Sequence, residues 1–222
     1  MIGRYVIGMQ LMYCGGSVNL ERNGDVIRIP GKELTLLDKL VLDFIKFLGS
    51  DYVIVSGYIA ILFGRSRNTE DIDIYIKNEG LEAFEKFYSS VMSDGRYWAL
   101  NAEDAKDAYE LMTIDKSSLR FAENGTAEPN FEIKFAAKET DFYSLNNALV
   151  VDFGKDGRLR ISPIELQIAY KLYLGSDKDI ADATHLFITF REMLDMEKLK
   201  AFLKALNIGQ NAALKLLGDH GV

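Results

Sequence analysis

Residues 53–76 read VIVSGYIAILFGRSRNTEDIDIYI, and no other stretch restricts the folds open to this chain as much. Tyr52 to Val55 is a short continuous apolar run, the pattern of a buried strand. Ser56-Gly57 interrupts it, and Tyr58 to Gly64 has the length of a short helix. From Ile72 to Ile76 the sequence alternates, so that Asp71, Asp73 and Tyr75 fall on one strand face and Ile72, Ile74 and Ile76 on the other. A buried strand, a turn, a helix and a half-apolar strand in this order call for a sheet covered by helices.

The flanking sequence extends the pattern. Asn23-Gly24 separates Val18 and Leu20 from Val26, Ile27 and Ile29, a hairpin signal because both turn residues tolerate positive φ. Thr35 is placed to cap a helix carrying Leu36, Leu37, Leu40, Val41, Phe44, Ile45 and Leu48 at helical spacing, with Gly49 as its stop. Leu81 to Met92 is helical by the same criterion. Residues 97–123 are ambiguous: Ala102 to Glu110 suits a helix, Tyr109 to Ile114 a strand or a helix end. Asn124-Gly125 is a turn, and Phe131 to Phe135 reads as a half-exposed strand in which Glu132 and Lys134 alternate with apolar residues. Asp156-Gly157 signals a second hairpin, between Leu149 to Phe153 and Leu159 to Ile161.

From Ser162 onward the pattern is helical. Ser162-Pro163-Ile164-Glu165 has the form of a capping box with proline at the first helical position. Helices are expected from there, over 177–191, over 196–206 and over 210–217, with Gly175 and Gly209 as breaks. The expected fold class is α+β: a small mixed sheet flanked by helices over residues 1–161, with a C-terminal helical portion, residues 162–222, packed on it.

Composition sets limits on function. Hydrophobic residues make up 48% of the 222, enough for a sizeable core without staples. The net charge of −7 disfavours tight nonspecific binding to DNA or other nucleic acid, whose phosphates attract basic surfaces. A single cysteine, Cys14, cannot close an intramolecular disulfide, which fits a reducing compartment. No apolar run reaches the roughly 18 residues of a spanning helix, and Met1 to Gly16 lacks the continuous apolar core of a signal peptide. A soluble, cytoplasmic protein with no membrane partner is expected. His185 and His220 with one cysteine offer no zinc constellation, and no Gly-x-Ser-x-Gly elbow or Walker-type loop occurs.

The chemistry is concentrated in the opening segment. Carboxylates at i and i+2 of a strand share a face, so Asp71 and Asp73 can hold one divalent ion or bridge two, and hard oxygen ligands suit Mg2+ or Mn2+. A glycine directly after a strand lets backbone approach a phosphate closely, as Ser56-Gly57 allows here. Arg65 and Arg67 carry the charge and the bidentate geometry that phosphate takes.

Together, Gly57-Tyr58, Gly64, Arg67, Thr69 and Asp71-Ile72-Asp73 resemble the signature of the polymerase-beta-type nucleotidyltransferase superfamily. They look closest to its small prokaryotic members, including the nucleotidyltransferase-type toxins of abortive-infection and toxin–antitoxin systems. Ser162-Pro163-Ile164-Glu165-Leu166, Lys171-Leu172, Asp177-Lys178-Asp179 and Asp182 are similar to a helical segment of the toxin-like members. The resemblance implies a nucleotidyltransferase fold and transfer of a nucleoside monophosphate from an NTP to an acceptor hydroxyl, which can be a tRNA end, a protein or a small molecule. It implies a metal and catalytic set of Asp71, Asp73 and a third carboxylate, Glu132, with Asp152 in reserve, and Mg2+ or Mn2+ as cofactor. It implies nucleotide contacts from Ser56, Gly57, Arg65, Ser66, Arg67 and Lys171, with Asp179 and Asp182 near the cleft. Ser56 stands where such families usually carry the first glycine. That departure motivates a second expectation: a nucleotide-binding or partner-binding module without efficient transfer, such as one component of a toxin–antitoxin pair with an antitoxin-type protein partner.

Overall fold

A computed structural model describes residues 7–13 and 16–218; Cys14 and His220 lie outside them. Strand β1 (Ile7–Tyr13) pairs antiparallel with β2 (Gly16–Asn23), which is the first arm of the hairpin that the sequence implies. β3 (Val26–Arg28) completes the Asn23-Gly24 hairpin, with Gly24 at φ 62°. Helix α1 (Leu36–Phe44) opens on a reciprocal cap: Asp38 N–H donates to Thr35 Oγ1 at 3.1 Å, and Thr35 N–H to Asp38 Oδ2 at 3.0 Å. A single 3-10 turn, Ile45–Phe47, carries it towards Gly49.

Then come β4 (Tyr52–Val55), buried throughout, α2 (Gly57–Leu62) and β5 (Asp71–Ile76), in the order the sequence implies. α3 (Leu81–Asp94) follows, and the ambiguous stretch resolves into β6 (Tyr97–Ala99), α4 (Ala105–Thr113) and β7 (Leu119–Glu123). β8 (Asn130–Phe135), α5 (Glu139–Asn146), β9 (Leu149–Asp152) and β10 (Arg158–Ile161) precede four helices, α6 (Ile164–Leu174), α7 (Asp177–Phe190), α8 (Met196–Ala205) and α9 (Gln210–Leu216).

Two expectations are corrected. β8 is not half-exposed, since Asn130 to Ile133 are all buried and neighbouring side chains cover its polar residues. The Ser162–Glu165 capping box does not form: Pro163 occupies the cap with no side-chain hydrogen bond. The Glu165 carboxylate instead takes the Arg22 guanidinium at 3.3 Å and the Asp195 N–H at 3.0 Å. A buried carboxylate gains more from a charge-assisted partner than from one N–H of its own helix.

The chain divides into two compact units. One draws on described residues up to Glu33, on Ile59–Arg67 and on the chain from Ala148; the other comprises Leu34–Tyr58 and Asn68–Asn147. The strands of the second unit run in the order β4-β5-β8-β7-β6, with β5 and β8 parallel and the other neighbours antiparallel. Its core is aromatic. Phe44 stacks on Phe131 at 3.8 Å between centroids, and Tyr97 meets Phe44 edge-on at 5.1 Å. Burying Phe131 on one face of β8 fixes the direction of Asn130, Glu132 and Lys134 on the other.

The strands of the first unit run in the order β1-β2-β3-β9-β10, with β3 and β9 parallel. Helices α6 and α7 share this unit, where Phe63 packs edge-on against Phe190 at 4.7 Å. Among the described residues no helix is long and apolar enough to cross a membrane.

Candidate functional site

In the second unit β4 and β5 run antiparallel with Val55 opposite Asp73. The chain therefore leaves β4, at Ser56-Gly57, beside the end of β5 that carries both aspartates. β5 and β8 pair in parallel register, with Asp71 opposite Asn130, Asp73 opposite Glu132 and Tyr75 opposite Lys134. Cross-strand partners share a sheet face, which gathers Asp71, Asp73, Asn130, Glu132 and Lys134 on one side. Arg120 of β7 stands opposite Glu132 and joins them.

This face is organised by charge. Lys134 Nζ donates to Asp73 Oδ1 at 2.8 Å and lies 2.9 Å from Glu132 Oε2. Arg120 Nη2 lies 2.6 Å from Glu132 Oε1, and Ser118 Oγ donates to Glu132 Oε2 at 3.2 Å. Burial pushes the Glu132 carboxyl up, but Lys134 and Arg120 outweigh it and hold the group below the usual glutamate range. Lys134 shows the converse: burial pulls the ammonium down, and Asp73 and Glu132 hold it above the ordinary lysine range. Asp71 is half-buried, and Thr69 Oγ1 donates to its carbonyl at 2.8 Å and reaches Oδ1 at 3.3 Å.

Among the described residues, no three acidic, histidine or cysteine side chains are gathered as metal ligands would be. Glu132 is the member that departs from the implied set, because its oxygens face Arg120, Lys134 and Ser118. What remains fits a hard divalent ion of the Mg2+ type, which is commonly held by one or two carboxylates with phosphate oxygens and water filling the other positions. Asp71 and Asp73 are half-buried oxygen donors on one face. Asn130 Oδ1, on the residue across the ladder from Asp71, is a buried acceptor with no hydrogen-bond donor. Asn130, Ser118 and Arg120 carry no such signal in the sequence; Ser118 precedes and Arg120 lies in β7, whose alternation is broken at Phe121-Ala122.

Ser56 adopts φ 63°, the left-handed region that a glycine enters freely and that costs an L-residue about 1–2 kcal/mol. Gly57 begins α2 and is buried. The next residue, Tyr58, donates its hydroxyl to the buried Asp38 at 2.8 Å, tying the start of α2 to α1.

The remaining residues implied for nucleotide contact lie in the first unit. Arg67 grips Asp182 with two bonds, Nε to Oδ1 at 3.1 Å and Nη2 to Oδ2 at 2.9 Å. Lys171 Nζ donates to Asp182 Oδ2 at 3.0 Å and to Asp179 Oδ1 at 2.8 Å. Arg65 approaches Asp182 Oδ1 at 3.5 Å without hydrogen-bond geometry, and its Nε has no acceptor. Ser66 is exposed between the two arginines. Asp182 is 0% and Lys171 2% exposed, so Asp182 is the hub of a buried ion cluster. His185 contacts the Phe63 carbonyl through Nε2 at 3.0 Å, in keeping with packing. Asp152, the reserve carboxylate, also lies in this unit. It accepts the Gly154 N–H at 2.9 Å and Arg158 at 3.1 Å, and these contacts hold its carboxyl below the usual aspartate range.

Asp179 gives a pH prediction. Burial pushes its carboxyl up, but bonds from Lys171 and Ser176 outweigh this and lower it. A carboxyl with a depressed folded-state pKa contributes stability above its unfolded value, about 4, and loses it as pH falls through the folded value. Acid unfolding followed by circular dichroism should therefore show a loss below about pH 4 that is shallower in Asp179→Asn. Identical acid limbs would remove Asp179 from the account.

No family model and no curated protein matches the chain. Solved structures to which it is similar include an antigenic nucleotidyltransferase-like protein from Paracoccidioides brasiliensis, at 12% identity over 82% of this chain and 90% of that one, with a TM-score of 0.49. The antibiotic-resistance factor ANT(2'')-Ia is similar at 14% identity over 84% of this chain and 96% of its own, with a TM-score of 0.45. JHP933 from Helicobacter pylori is similar at 18% identity over 84% and 82%, with a TM-score of 0.40.

Proposed function

We propose that the chain is a divalent-metal-dependent nucleotidyltransferase that moves a nucleoside monophosphate from an NTP to an acceptor hydroxyl. The observation that carries the reading is the register of β4, β5 and β8. It sets the Ser56-Gly57 turn and the aspartates of Asp71-Ile72-Asp73 at the same end of the sheet, with an orphaned oxygen, Asn130 Oδ1, on the strand next to them.

Asp71 and Asp73 hold the ion. When bound there, the ion would supply charge neutralisation for the α-phosphoryl group and the departing pyrophosphate. The turn at Ser56-Gly57 presents backbone to the phosphates. In-line displacement forms the bond from the acceptor oxygen to the α-phosphorus, breaks the α–β bridging bond and releases pyrophosphate. The proton of the acceptor hydroxyl leaves to water or to the released pyrophosphate, and Glu132, whose oxygens face Lys134, Arg120 and Ser118, organises charge around Asp73.

The test is label transfer from α-phosphate-labelled NTPs in the presence of Mg2+ or Mn2+, with RNA, protein and small-molecule acceptors offered separately. Transfer that chelator abolishes supports the reading, and the acceptor pool that takes label names the acceptor class. No transfer in any pool, with NTP still raising the melting temperature, supports the second reading, a nucleotide-binding or partner-binding module such as a toxin–antitoxin component. The strained Ser56 backbone and the Lys134 ammonium between Asp73 and Glu132 favour that alternative.

A further inference from the structure

We propose that Lys134 is a resident counter-ion of the Asp73–Glu132 pair, which an incoming divalent ion must displace, so that occupancy of the metal site is set by competition with this ammonium. The inference rests on the metal-dependent reading above and adds to it how the site is kept in order, and restrained, without metal.

The geometry is specific. One ammonium nitrogen lies 2.8 Å from Asp73 Oδ1 and 2.9 Å from Glu132 Oε2, bridging two carboxylates that the parallel register sets opposite each other. A cation that binds Asp73 from this side meets Lys134 first. The lysine is also built to leave. Its side chain is 35% exposed, and a flexible four-carbon stem can carry the ammonium into water, where it is strongly hydrated. Glu132 does not lose its compensation when this happens, because Arg120 stays on its other oxygen at 2.6 Å.

The local charges give the direction. With Lys134 and Arg120 in place, Asp71, Asp73 and Glu132 present one net negative charge; without Lys134 they present two. A divalent ion therefore meets half the attraction in the resting protein, and in addition must break the ammonium contacts. A nucleotide triphosphate reverses the balance, since its own charge stabilises both the ion and the displaced ammonium. The ion accordingly binds weakly alone and more tightly together with NTP.

Mn2+ binding is to be measured on the full chain by paramagnetic resonance of the free ion, for the wild type, Lys134→Met and Lys134→Gln, each also with Asp73→Asn. Both lysine variants should tighten the Mn2+ dissociation constant by about tenfold or more, the direction and size expected for removing one charge at contact distance. Asp73→Asn should abolish the gain. Equal affinity in wild type and variants, at a site that Asp73→Asn removes, overturns the competition while leaving the metal reading intact. Absence of Mn2+ binding in every protein, with or without NTP, overturns both.

A second measurement needs no variant. Acylation of Lys134 by a water-soluble amine reagent, followed by mass spectrometry, should speed up when Mn2+ alone is raised to saturation. An unchanged or slower rate under saturating Mn2+ would show that the ammonium stays in place, and would overturn the proposal.

Discussion

Asp182→Ala should lower the unfolding free energy of the chain by about 3–5 kcal/mol, measured by urea denaturation. Asp182 is fully buried and takes both nitrogens of the Arg67 fork and the ammonium of Lys171. Its removal takes a carboxylate from three cations, Arg65, Arg67 and Lys171, of which Lys171 keeps Asp179. The magnitude reflects what is stranded rather than what the cluster contributes: a buried pair often gains little over apolar packing, whereas a buried charge without its partner is expensive. Asp182→Asn keeps the shape and one acceptor, so its loss should be smaller. A loss below about 1 kcal/mol in Asp182→Ala would mean that Arg67 and Lys171 reach water easily, and the hub would then be an incidental contact.

Asp73→Asn should reduce label transfer at least about a hundredfold while leaving the melting temperature close to that of the wild type. The substitution removes one of two oxygen ligands assigned to the ion and preserves the size of the side chain. Lys134 keeps Glu132 at 2.9 Å, so no cation is stranded by the change. The contrast with Asp182 is the informative part, because one aspartate should govern activity and the other stability. Wild-type rates in Asp73→Asn would refute the assignment of Asp71 and Asp73. A fall in rate matched by a fall in melting temperature would trace the effect to folding instead.

How far such assignments could be read in the sequence depended on range. The strand–turn–helix–strand core was legible because period-2 alternation in Asp71 to Ile76 and the Ser56-Gly57 break are local signals. The Asn23-Gly24 hairpin and the Thr35 cap were legible for the same reason. β6 and β7 were not, since no hairpin turn joins Tyr97–Ala99 to its partner strand and Leu119–Glu123 breaks its alternation at the buried pair Phe121-Ala122. The partners of Glu132 were half legible. Lys134 is two residues away on the same strand, but Arg120 reaches Glu132 only through the β7–β8 register, a property of topology. The Ser162–Glu165 capping box failed for a similar cause, as Glu165 bonds an arginine 143 positions earlier in the chain. A local motif loses where a distant charge offers a stronger bond.

That long reach has a consequence for the order in which the protein is made. β3 takes its parallel partner from β9, with Val26 opposite Val150 and Ile27 opposite Val151. On a ribosome adding about 5–20 residues per second, the edge of the first hairpin waits on the order of ten seconds for that strand to be synthesised. Until then its unpaired edge, with Ile27 in it, is open to any other extended segment, while the second unit, whose last residue is Asn147, already has its whole sequence available. Synthesis thus favours completing the strand pairings around Asp71 and Asp73 before those of the strands that begin the chain.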